Sequence, residues 1–414
     1  MPLSGTSGAG AAAESLASPG VTDHSGGLAG FVSALHEAEA IVRSAPHAQE
    51  DRDLAEGLDY LAGLVRVALA GAWTGDPTDP WFARPSTPRS KMGLDNPDTL
   101  YFAAEISGDA EYVVTGTRGS SADLVFQVLA GSHAGSTSPA SHLAFDDRSF
   151  PIAEDGSFEL RFGPPRAAAG PSYFALAPDA RRLLVRQTFS DWSVERPGLL
   201  RVQRADRIGA PGRPLTMEVI EDRFRRAGAT LTGYLRTFLD FVQLFYLDQP
   251  VNTMYAPKIT PGGLTNQYSA AGHYDLADDQ VLVVTVPASG MPYQGFQLGT
   301  PWYVSLDYIN HQTSLTADQA RIDPDGMIRL VVGRRDPGLT NWLETTGHRR
   351  GYLQVRWQRV TRPLGPEDGP TTEVMAYDDL AGRLPFYADQ RIEPGAWARR
   401  IADRQAAIGD RMLT

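Results

Sequence analysis

Residues 152–163 read IAEDGSFELRFG and residues 322–333 read IDPDGMIRLVVG, so two similar segments lie 170 positions apart. The same offset relates four further short matches, which are 113–115 with 283–285, 126–127 with 296–297, 183–186 with 353–356, and Leu61, Gly63, Arg66 and Leu69 with Leu231, Gly233, Arg236 and Leu239. Because the five matches share one offset without a gap, the sequence predicts one unit that is present twice. Function is then sought first in the side chains that the two copies do not share.

The spacing of apolar residues predicts a mainly β protein with helical additions, an α+β fold. Apolar residues recur every three or four positions in 30–75 and 215–247, whereas 99–205 and 281–360 contain short apolar runs between Gly, Asp and Pro clusters. Face-to-face antiparallel sheets are expected in each copy. The predicted organisation is a disordered tail at 1–29, N-terminal helices at 30–89, a first β-sandwich unit at 90–208, a connecting helix at 215–250, a second β-sandwich unit at 255–362, and a C-terminal tail and helix at 363–414.

Composition excludes several classes of site and partner. The 414 residues carry a net charge of −11 and include no cysteine, which excludes disulfides, thiolate metal sites and cysteine nucleophiles. The acidic balance argues against nucleic acid and anionic membrane surfaces, since both need a basic face. The chain has no basic, apolar leader and no run of roughly 20 apolar residues, so we expect a cytoplasmic protein without a membrane span.

Motifs for organic cofactors are absent from the sequence. It contains no His-Glu-x-x-His pair, no Gly-x-Ser-x-Gly elbow and no phosphate-binding loop. The eight histidines show none of the close pairing that holds zinc on one helix or strand. We therefore expect no organic cofactor.

One polar segment of the first unit is a candidate site for a divalent cation. Asp95, Asn96 and Asp98 bring three oxygen-bearing side chains into four residues, which suits a hard cation. The segment lacks the glycine and glutamate pattern of an EF-hand. Asx residues also start turns by bonding their own backbone, so the alternative is a purely structural turn.

Residues 301–309, PWYVSLDYI, alternate in the manner of a half-buried strand. One predicted face is apolar and belongs in the core; it consists of Trp302, Val304, Leu306 and Tyr308. The other face is mostly polar and consists of Tyr303, Ser305, Asp307, Ile309 and, if the strand continues, His311. This second face either meets water or forms the wall of a cleft.

The second copy alone carries an acid, an indole and an imidazole in the segment before its last long strand. These residues, Asp336, Trp342 and His348, lie where the first copy has Arg166, Ser172 and Pro178. Residues 336–339, DPGL, predict a type II turn. The cluster either belongs to a site or is structural, in which case Asp336 bonds its own turn, Trp342 lies in the core and His348 caps a hairpin.

A set of short motifs within residues 90–200 and 255–360 carries a resemblance to a known family. The motifs are FQLGTPW (296–302), Ser305, Asp307, His311, Asp325-Gly326, RDPG (335–338), NWL (341–343), Gly347-His348 and Arg356-Trp357, with GLDNPD (93–98) and Asp191-Trp192 in the first unit. This pattern resembles the family called domain of unknown function 1214. The resemblance implies a β-sandwich domain, but no settled activity and no catalytic residue.

Three functional hypotheses fit these residues. The first is an enzyme without organic cofactor that acts by acid–base chemistry on a small, partly apolar substrate, as a hydrolase, lyase or isomerase, in a cleft of the second unit. Its candidate catalytic residues are Asp336, His348, Asp307 and His311, and its candidate substrate-binding residues are Trp302, Tyr303, Asn341, Trp342, Arg350 and Arg356. The alternatives are a non-catalytic module that binds a carbohydrate or an amphipathic small molecule, and an assembly protein that uses the apolar helix face at 231–246. The expected partners are a small molecule and further copies of the chain.

Overall fold

The computed structural model describes residues 26–48, 50–131, 139–259 and 267–413. Its α-helices are α1 (Gly26–Arg43), α2 (Asp51–Thr74), α3 (Met217–Val242), α4 (Leu380–Arg383) and α5 (Pro394–Leu413). A π-helical turn, Gln243–Leu247, continues α3. The tail predicted at 1–29 is too long, because α1 begins at Gly26 and packs closely on α3; a Cβ on Gly27 would lie 2.6 Å from Cα of Glu221. Residues 1–25 of that tail lie outside the described part of the chain.

The first β unit consists of two four-stranded sheets. Its strands are β1 (Thr99–Glu105), β2 (Tyr112–Thr117), β3 (Asp123–Ala130), β4 (Ser141–Asp146), β5 (Ser157–Gly163), β6 (Tyr173–Ala175), β7 (Ala180–Thr188) and β8 (Leu200–Arg204). One sheet has the order β1-β7-β3-β4 and the other the order β6-β5-β2-β8. All neighbours are antiparallel except β5 and β6.

The second β unit contains the remaining strands of the described chain. They are β9 (Thr253–Met254), β10 (Lys258–Ile259), β11 (Tyr268–Asp275), β12 (Gln280–Pro287), β13 (Tyr293–Thr300), β14 (Val304–Ser305), β15 (Ser314–Thr316), β16 (Met327–Gly333), β17 (Trp342–Glu344), β18 (Arg350–Gln358) and β19 (Thr371–Ala376). One sheet follows the order β10-β11-β18-β13-β14, with β15 on β13 and β9 on β11, and the other follows β17-β16-β12-β19. Strand β19 lies in the segment predicted as a tail, and it completes the second sheet by pairing with β12.

The two units share a strand order and most of their register. The orders β1-β7-β3-β4 and β6-β5-β2-β8 recur as β11-β18-β13-β15 and β17-β16-β12-β19. The pair Tyr112↔Phe162 corresponds to Leu282↔Val332 at the 170-residue offset. The first strand of each unit differs in register, since the pairing of β11 with β18 is slipped by two residues relative to that of β1 with β7.

Each unit has its own apolar core between its two sheets. In the first unit, Phe126 and Leu183 of one sheet belong to the same buried cluster as Val114 and Leu160 of the other. In the second unit, the corresponding cluster combines Phe296, Leu353, Val284 and Leu330. The fold is therefore mainly β, with four sheets and added helices in the described chain.

A third core joins α1, α2 and α3 to the second unit. Leu231, Leu235 and Phe238 of α3 are buried in it, and so are Trp302 and Val304. The apolar face of α3 at 231–246 is thus largely covered within the chain, which removes the main support for its use as an assembly interface.

None of the helices in the described ranges combines the length and the apolar character needed to cross a bilayer.

Candidate functional site

A cleft of about 440 Å³ lies between α2 and the second β unit. Three further segments complete its wall. They are residues 88–91 before the first unit, residues 304–309 after β13, and residues 346–348 in the turn before β18. The lining residues are Glu56, Asp59, Tyr60, Gly63, Arg66, Pro88, Arg89, Lys91, Thr300, 304–309, Thr346 and His348. Acidic and basic side chains alternate around a small volume, which suits a small polar ligand.

One face of α2 supplies the helical wall of this cleft. Glu56, Asp59, Gly63 and Arg66 recur at steps of three or four residues, so they lie on the same side of the helix. The apolar side of α2, with Leu61, packs into the core that joins the helices. The polar face is consequently directed at the second unit.

His348 and Glu56 form a hydrogen-bonded pair at the wall of the cleft. Nε2 of His348 lies 2.7 and 2.9 Å from the two carboxylate oxygens of Glu56, and Nδ1 lies 2.7 Å from the carbonyl oxygen of Thr345. Because a carbonyl oxygen only accepts, Nδ1 carries a proton, and the bond to Glu56 needs a second proton on the ring or on the carboxyl. The side chain of His348 is 5% exposed and that of Glu56 is 30% exposed, so Glu56 is the member that a ligand can reach.

The turn that carries His348 is tied to α2. Thr346 and Gly347 have φ of +49° and +84°, and the amide of His348 donates to the carbonyl oxygen of Thr345 at 2.9 Å. Positive φ at both central residues is typical of a type I′ turn. Arg52 of α2 donates to the carbonyl oxygen of Thr346, and a Cβ on Gly347 would lie 2.7 Å from its Nη1. Glycine at this position therefore allows the contact that fixes the imidazole relative to the helix.

Lys91 contributes a half-buried cation to the wall. Its Nζ donates to the carbonyl oxygens of Ser305 (2.8 Å) and Leu306 (2.7 Å) and lies 4.8 Å from the ring centroid of Tyr308. Burial lowers the pKa of Lys91, and the nearby carboxylate of Asp95 partly offsets this effect. The third N–H of the ammonium has no partner in the described chain, so Lys91 has one hydrogen bond left to donate to a ligand.

Asp307 lines the cleft, but its carboxylate is used in a turn. Oδ1 accepts from the backbone amides of Ile309 (2.9 Å) and Asn310 (3.1 Å), and Oδ2 accepts from Nδ2 of Asn310 at 2.8 Å. Burial acts to raise the pKa of this carboxyl, but these bonds and the charge of Lys91 outweigh it, so the pKa lies below its ordinary value. Asp307 therefore lies at the cleft as predicted, but both of its carboxylate oxygens already accept hydrogen bonds within its own turn.

We expect Asp307→Asn to lower the free energy of unfolding by about 1 kcal/mol at pH 7, because the bond from Nδ2 of Asn310 is lost. A lowered pKa means that Asp307 stabilises the fold above its ordinary pKa of 3.8, and that this stabilisation is lost as the pH falls through the folded-state value. The difference between variant and wild type should therefore shrink below pH 4, measured by urea denaturation. Asp240→Asn, at an exposed position of α3, is the control, and a difference that stays constant with pH would contradict the assignment.

The strand predicted at 301–309 is wrong except at β14. The chain turns at Tyr303, whose φ is +61°. Trp302 is 1% exposed, and its Nε1 donates to the carbonyl oxygen of Asp53 in α2 at 2.8 Å. The ring of Tyr303 stacks on Phe238 of α3 with centroids 5.9 Å apart. Both predicted ligand-binding aromatics instead anchor the helices, because packing on α2 and α3 overrides the alternating pattern.

Two further predicted catalytic residues lie outside the lining of the cleft. Oδ1 of Asp336 accepts from the amide of Gly338 (2.7 Å), and the φ of Gly338 is +67°, as a type II turn requires. Nδ1 of His311 lies 2.9 Å from Oε2 of Glu344 on a side chain that is 41% exposed. Of the four predicted catalytic residues, the cleft brings together two, Asp307 and His348.

Asn341 and Trp342, predicted to bind substrate, are structural. Asn341 is fully buried and exchanges two hydrogen bonds of 2.8 Å with the backbone of Arg321. Nε1 of Trp342 donates to the carbonyl oxygen of Gly333 at 3.0 Å. The polar atoms of both side chains are hydrogen-bonded to backbone groups next to β16 and β17, so they are not available to a substrate.

The two arginines predicted to bind substrate, Arg350 and Arg356, have different surroundings. Arg356 is 7% exposed and donates to Gln297 and to the carbonyl oxygen of Leu94 at 2.9 Å, and it is not among the residues that line the cleft beside α2. The side chain of Arg350 is 30% exposed, and its Nη2 lies 3.4 Å from Oδ2 of Asp53. Arg350 lines a second pocket, away from His348.

The predicted cation ligands Asp95, Asn96 and Asp98 form hydrogen bonds with side chains and backbone of the second unit instead. Asp95 accepts from the amide (2.9 Å) and the hydroxyl (2.8 Å) of Ser305. Tyr293 donates to Asp98 at 2.7 Å and accepts from Nδ2 of Asn96 at 2.9 Å. Burial raises the pKa of Asp98 despite the bond from Tyr293, which disfavours a charged ligand set. Within the described ranges, no three His, Asp or Glu side chains cluster as a metal site would require.

Sequence reasoning missed Glu56, Asp59, Tyr60 and Lys91. The helical spacing of α2 indicates a polar face, but spacing alone does not say which element covers that face. Lys91 offered a signal, since it is one of only two lysines in a chain whose other basic residues are arginine.

Comparisons with known proteins place the chain among uncharacterised relatives. No family model matches, and no curated protein matches. A crystal structure of an uncharacterised protein from Burkholderia cenocepacia is 31% identical, with a TM-score of 0.78, over 85% of this chain and 97% of that one. A second crystal structure, of a protein from Vibrio parahaemolyticus, is 10% identical, with a TM-score of 0.45, over 84% and 99% of the two chains. The identity and coverage of the first comparison show that the chain belongs to the same family as the Burkholderia cenocepacia protein.

Proposed function

We propose that the protein is an enzyme without organic cofactor that transfers a proton on a small polar substrate in the cleft between α2 and the second β unit. The observation that carries the proposal is the pair formed by Glu56 and His348, with one carboxylate edge accessible from the cleft. Glu56 replaces the predicted bases Asp307 and Asp336, whose carboxylates cap turns.

The geometry supports Glu56 as the group that exchanges a proton with substrate. Nδ1 of His348 is committed to the carbonyl oxygen of Thr345, so Nε2 is the nitrogen that exchanges a proton with the carboxyl. Removing a substrate proton to Glu56 is then assisted by the adjacent imidazole, as in a general acid–base pair. Nε of Arg52 lies 3.6 Å from Oε1 of Glu56, so α2 places a cation beside the carboxyl group one turn away.

The size and lining of the cleft indicate the substrate class. About 440 Å³ holds a molecule of metabolite size. Lys91 and Arg66 favour an oxygen acceptor on the substrate, and Tyr60 and Tyr308 offer partly apolar surface. Hydrolase, lyase and isomerase reactions all satisfy these features.

A metabolite library tested by thermal shift, followed by product analysis, tests this function. We expect a ligand that raises the melting temperature of both wild type and Glu56→Gln but is converted only by wild type. Glu39→Gln, on the exposed face of α1 beside Arg43, is the matched control and should keep full turnover. Equal turnover by Glu56→Gln would exclude Glu56 as the base.

The second candidate is a binding module without catalysis. The carboxylate oxygens of Asp307 both accept hydrogen bonds within their own turn. This leaves a single acid–base pair, Glu56 and His348, at the cleft, which favours binding without catalysis. A ligand that stabilises wild type and is never converted would support this candidate over the enzyme.

We also propose that the two units are β-sandwiches derived from one duplicated ancestor, and that they belong to the family called domain of unknown function 1214. The strongest support is an arginine–glutamine pair found twice at the 170-residue offset. Arg186 donates to Oε1 of Gln127 at 2.7 Å, and Arg356 donates to Oε1 of Gln297.

A further inference from the structure

We propose that a second pocket, between the π-helical turn after α3 and the ends of β11 and β18, binds a small neutral molecule with an apolar body and one or two hydrogen-bonding oxygens. The pocket has a volume of about 360 Å³ and shares no lining residue with the first cleft. It is independent of the proposed proton transfer.

Unsatisfied polar atoms in the wall of this pocket indicate a ligand. His47 is 8% exposed, and its Nε2 has no hydrogen-bond partner in the described chain. The hydroxyl of Tyr274, a fully buried side chain, likewise lacks a partner there. Buried polar groups are almost always bonded, and leaving one unpaired is costly. A ligand with one or two oxygen atoms would supply the hydrogen-bond partners that His47 and Tyr274 lack.

The charged groups around this pocket are already paired, so the ligand need carry no charge. Arg350 lies 3.4 Å from Asp53, and Asp275 accepts from Nε of Arg349 at 2.8 Å. Burial lowers the pKa of His47 to about 4, so the ring is neutral at physiological pH. The polar part of the wall therefore offers neutral hydrogen-bonding groups.

The rest of the wall is apolar and partly open to solvent. Leu247 and Val251 are 36% and 48% exposed, and they face the pocket together with Pro46 and Pro301. Leu247 ends the π-helical turn, a local irregularity that often accompanies binding sites in other proteins. An aromatic ring or short aliphatic body fits this surface.

Trp302 separates the second pocket from the cleft. Its ring lies 4.5 Å from that of His47 and 6.4 Å from that of Tyr60, which lines the cleft. Since the two sites lie on different sides of one buried indole, their ligands can be tested independently.

Phenol is a suitable probe. Toluene has a similar size but no hydroxyl group, and benzoate adds a negative charge, so the two compounds serve as controls. We expect saturable phenol binding in a ligand-observed NMR titration, with toluene roughly tenfold weaker because it makes no hydrogen bond. Benzoate should also bind more weakly than phenol. Val251→Trp, at an exposed lining position, should abolish phenol binding, whereas Val32→Trp, at a similarly exposed position of α1, should leave it unchanged. Glu56→Gln should also leave it unchanged, which keeps this test separate from the proposed function.

A second variant tests the polar contact. His47→Phe combined with Tyr274→Phe should bring the affinities for phenol and toluene within about twofold of each other, since both unsatisfied polar groups are gone. Absence of saturable phenol binding to wild type, or undiminished binding to Val251→Trp, would overturn the proposed site. Toluene binding to wild type as tightly as phenol would overturn the hydrogen-bonding part of the proposal.

Discussion

Replacing Gly57 by alanine is expected to lower the free energy of unfolding by about 3 kcal/mol, although alanine is the better helix former. A Cβ at this position of α2 would lie 2.3 Å from Cζ2 of Trp302. The indole cannot move aside easily, because it packs against His47 and donates to the carbonyl oxygen of Asp53. The clash should therefore push α2 away from the second unit, and chemical denaturation followed by tryptophan fluorescence measures the loss.

Gly71 provides the matched control within the same helix. It is exposed, and a Cβ there would meet nothing within 4 Å. Gly71→Ala should stabilise the protein by up to about 1 kcal/mol, because it reduces the entropy of the unfolded chain without a clash. Similar effects of the two substitutions would mean that Trp302 does not fill the groove beside Gly57.

The mainly β character of the fold was predictable because its signals are local. The Asp-Gly pairs at 155–156 and 325–326 require positive φ at glycine, and Gly156 and Gly326 have φ of +81° and +79°. The 170-residue offset also accounts for β19, which was predicted as part of a tail, since β8 lies at the corresponding position of the first unit. Applying the offset beyond residue 362 would have found this strand.

The segment at 301–309 was mispredicted because its conformation depends on distant residues. Its alternation favours a strand, yet the chain turns at Tyr303 so that Trp302 can reach the groove beside Gly57. The sequence shows a glycine at position 57, but it does not show that this glycine makes room for the indole of Trp302, which is distant in sequence.

The candidate site was predictable only in part for the same reason. His348 drew attention because the first copy has proline at the corresponding position. Its partner Glu56 is 292 residues away, on a helix that no repeat argument connects to it. The composition of a polar helix face does not distinguish a surface in water from the wall of a cleft.

Lowering the pH from 7 to 4 is expected to cost about 3 kcal/mol of stability through His47 alone. Burial is the main cause that lowers the pKa of His47 from 6.5 to about 4; the charge of Asp53 acts in the opposite direction, and that of Arg350 in the same direction as burial. Below pH 6.5 the unfolded chain binds a proton at this residue that the folded chain does not bind. Stability therefore falls as the pH drops from 6.5 to about 4, and each pH unit in that range corresponds to about 1.4 kcal/mol. Urea denaturation at half-unit pH steps measures the slope.

His47→Gln should flatten this part of the pH profile, because glutamine binds no proton. The difference between variant and wild type isolates the contribution of His47, because all the other histidines are present in both proteins. His36→Gln, at an exposed position of α1, should leave the profile close to that of wild type. An unchanged slope in His47→Gln would mean that the imidazole becomes charged without unfolding, and hence that water reaches Nε2 beside Trp302. In that case the nitrogen would already have a partner, and the second pocket would lose its best reason to hold a ligand.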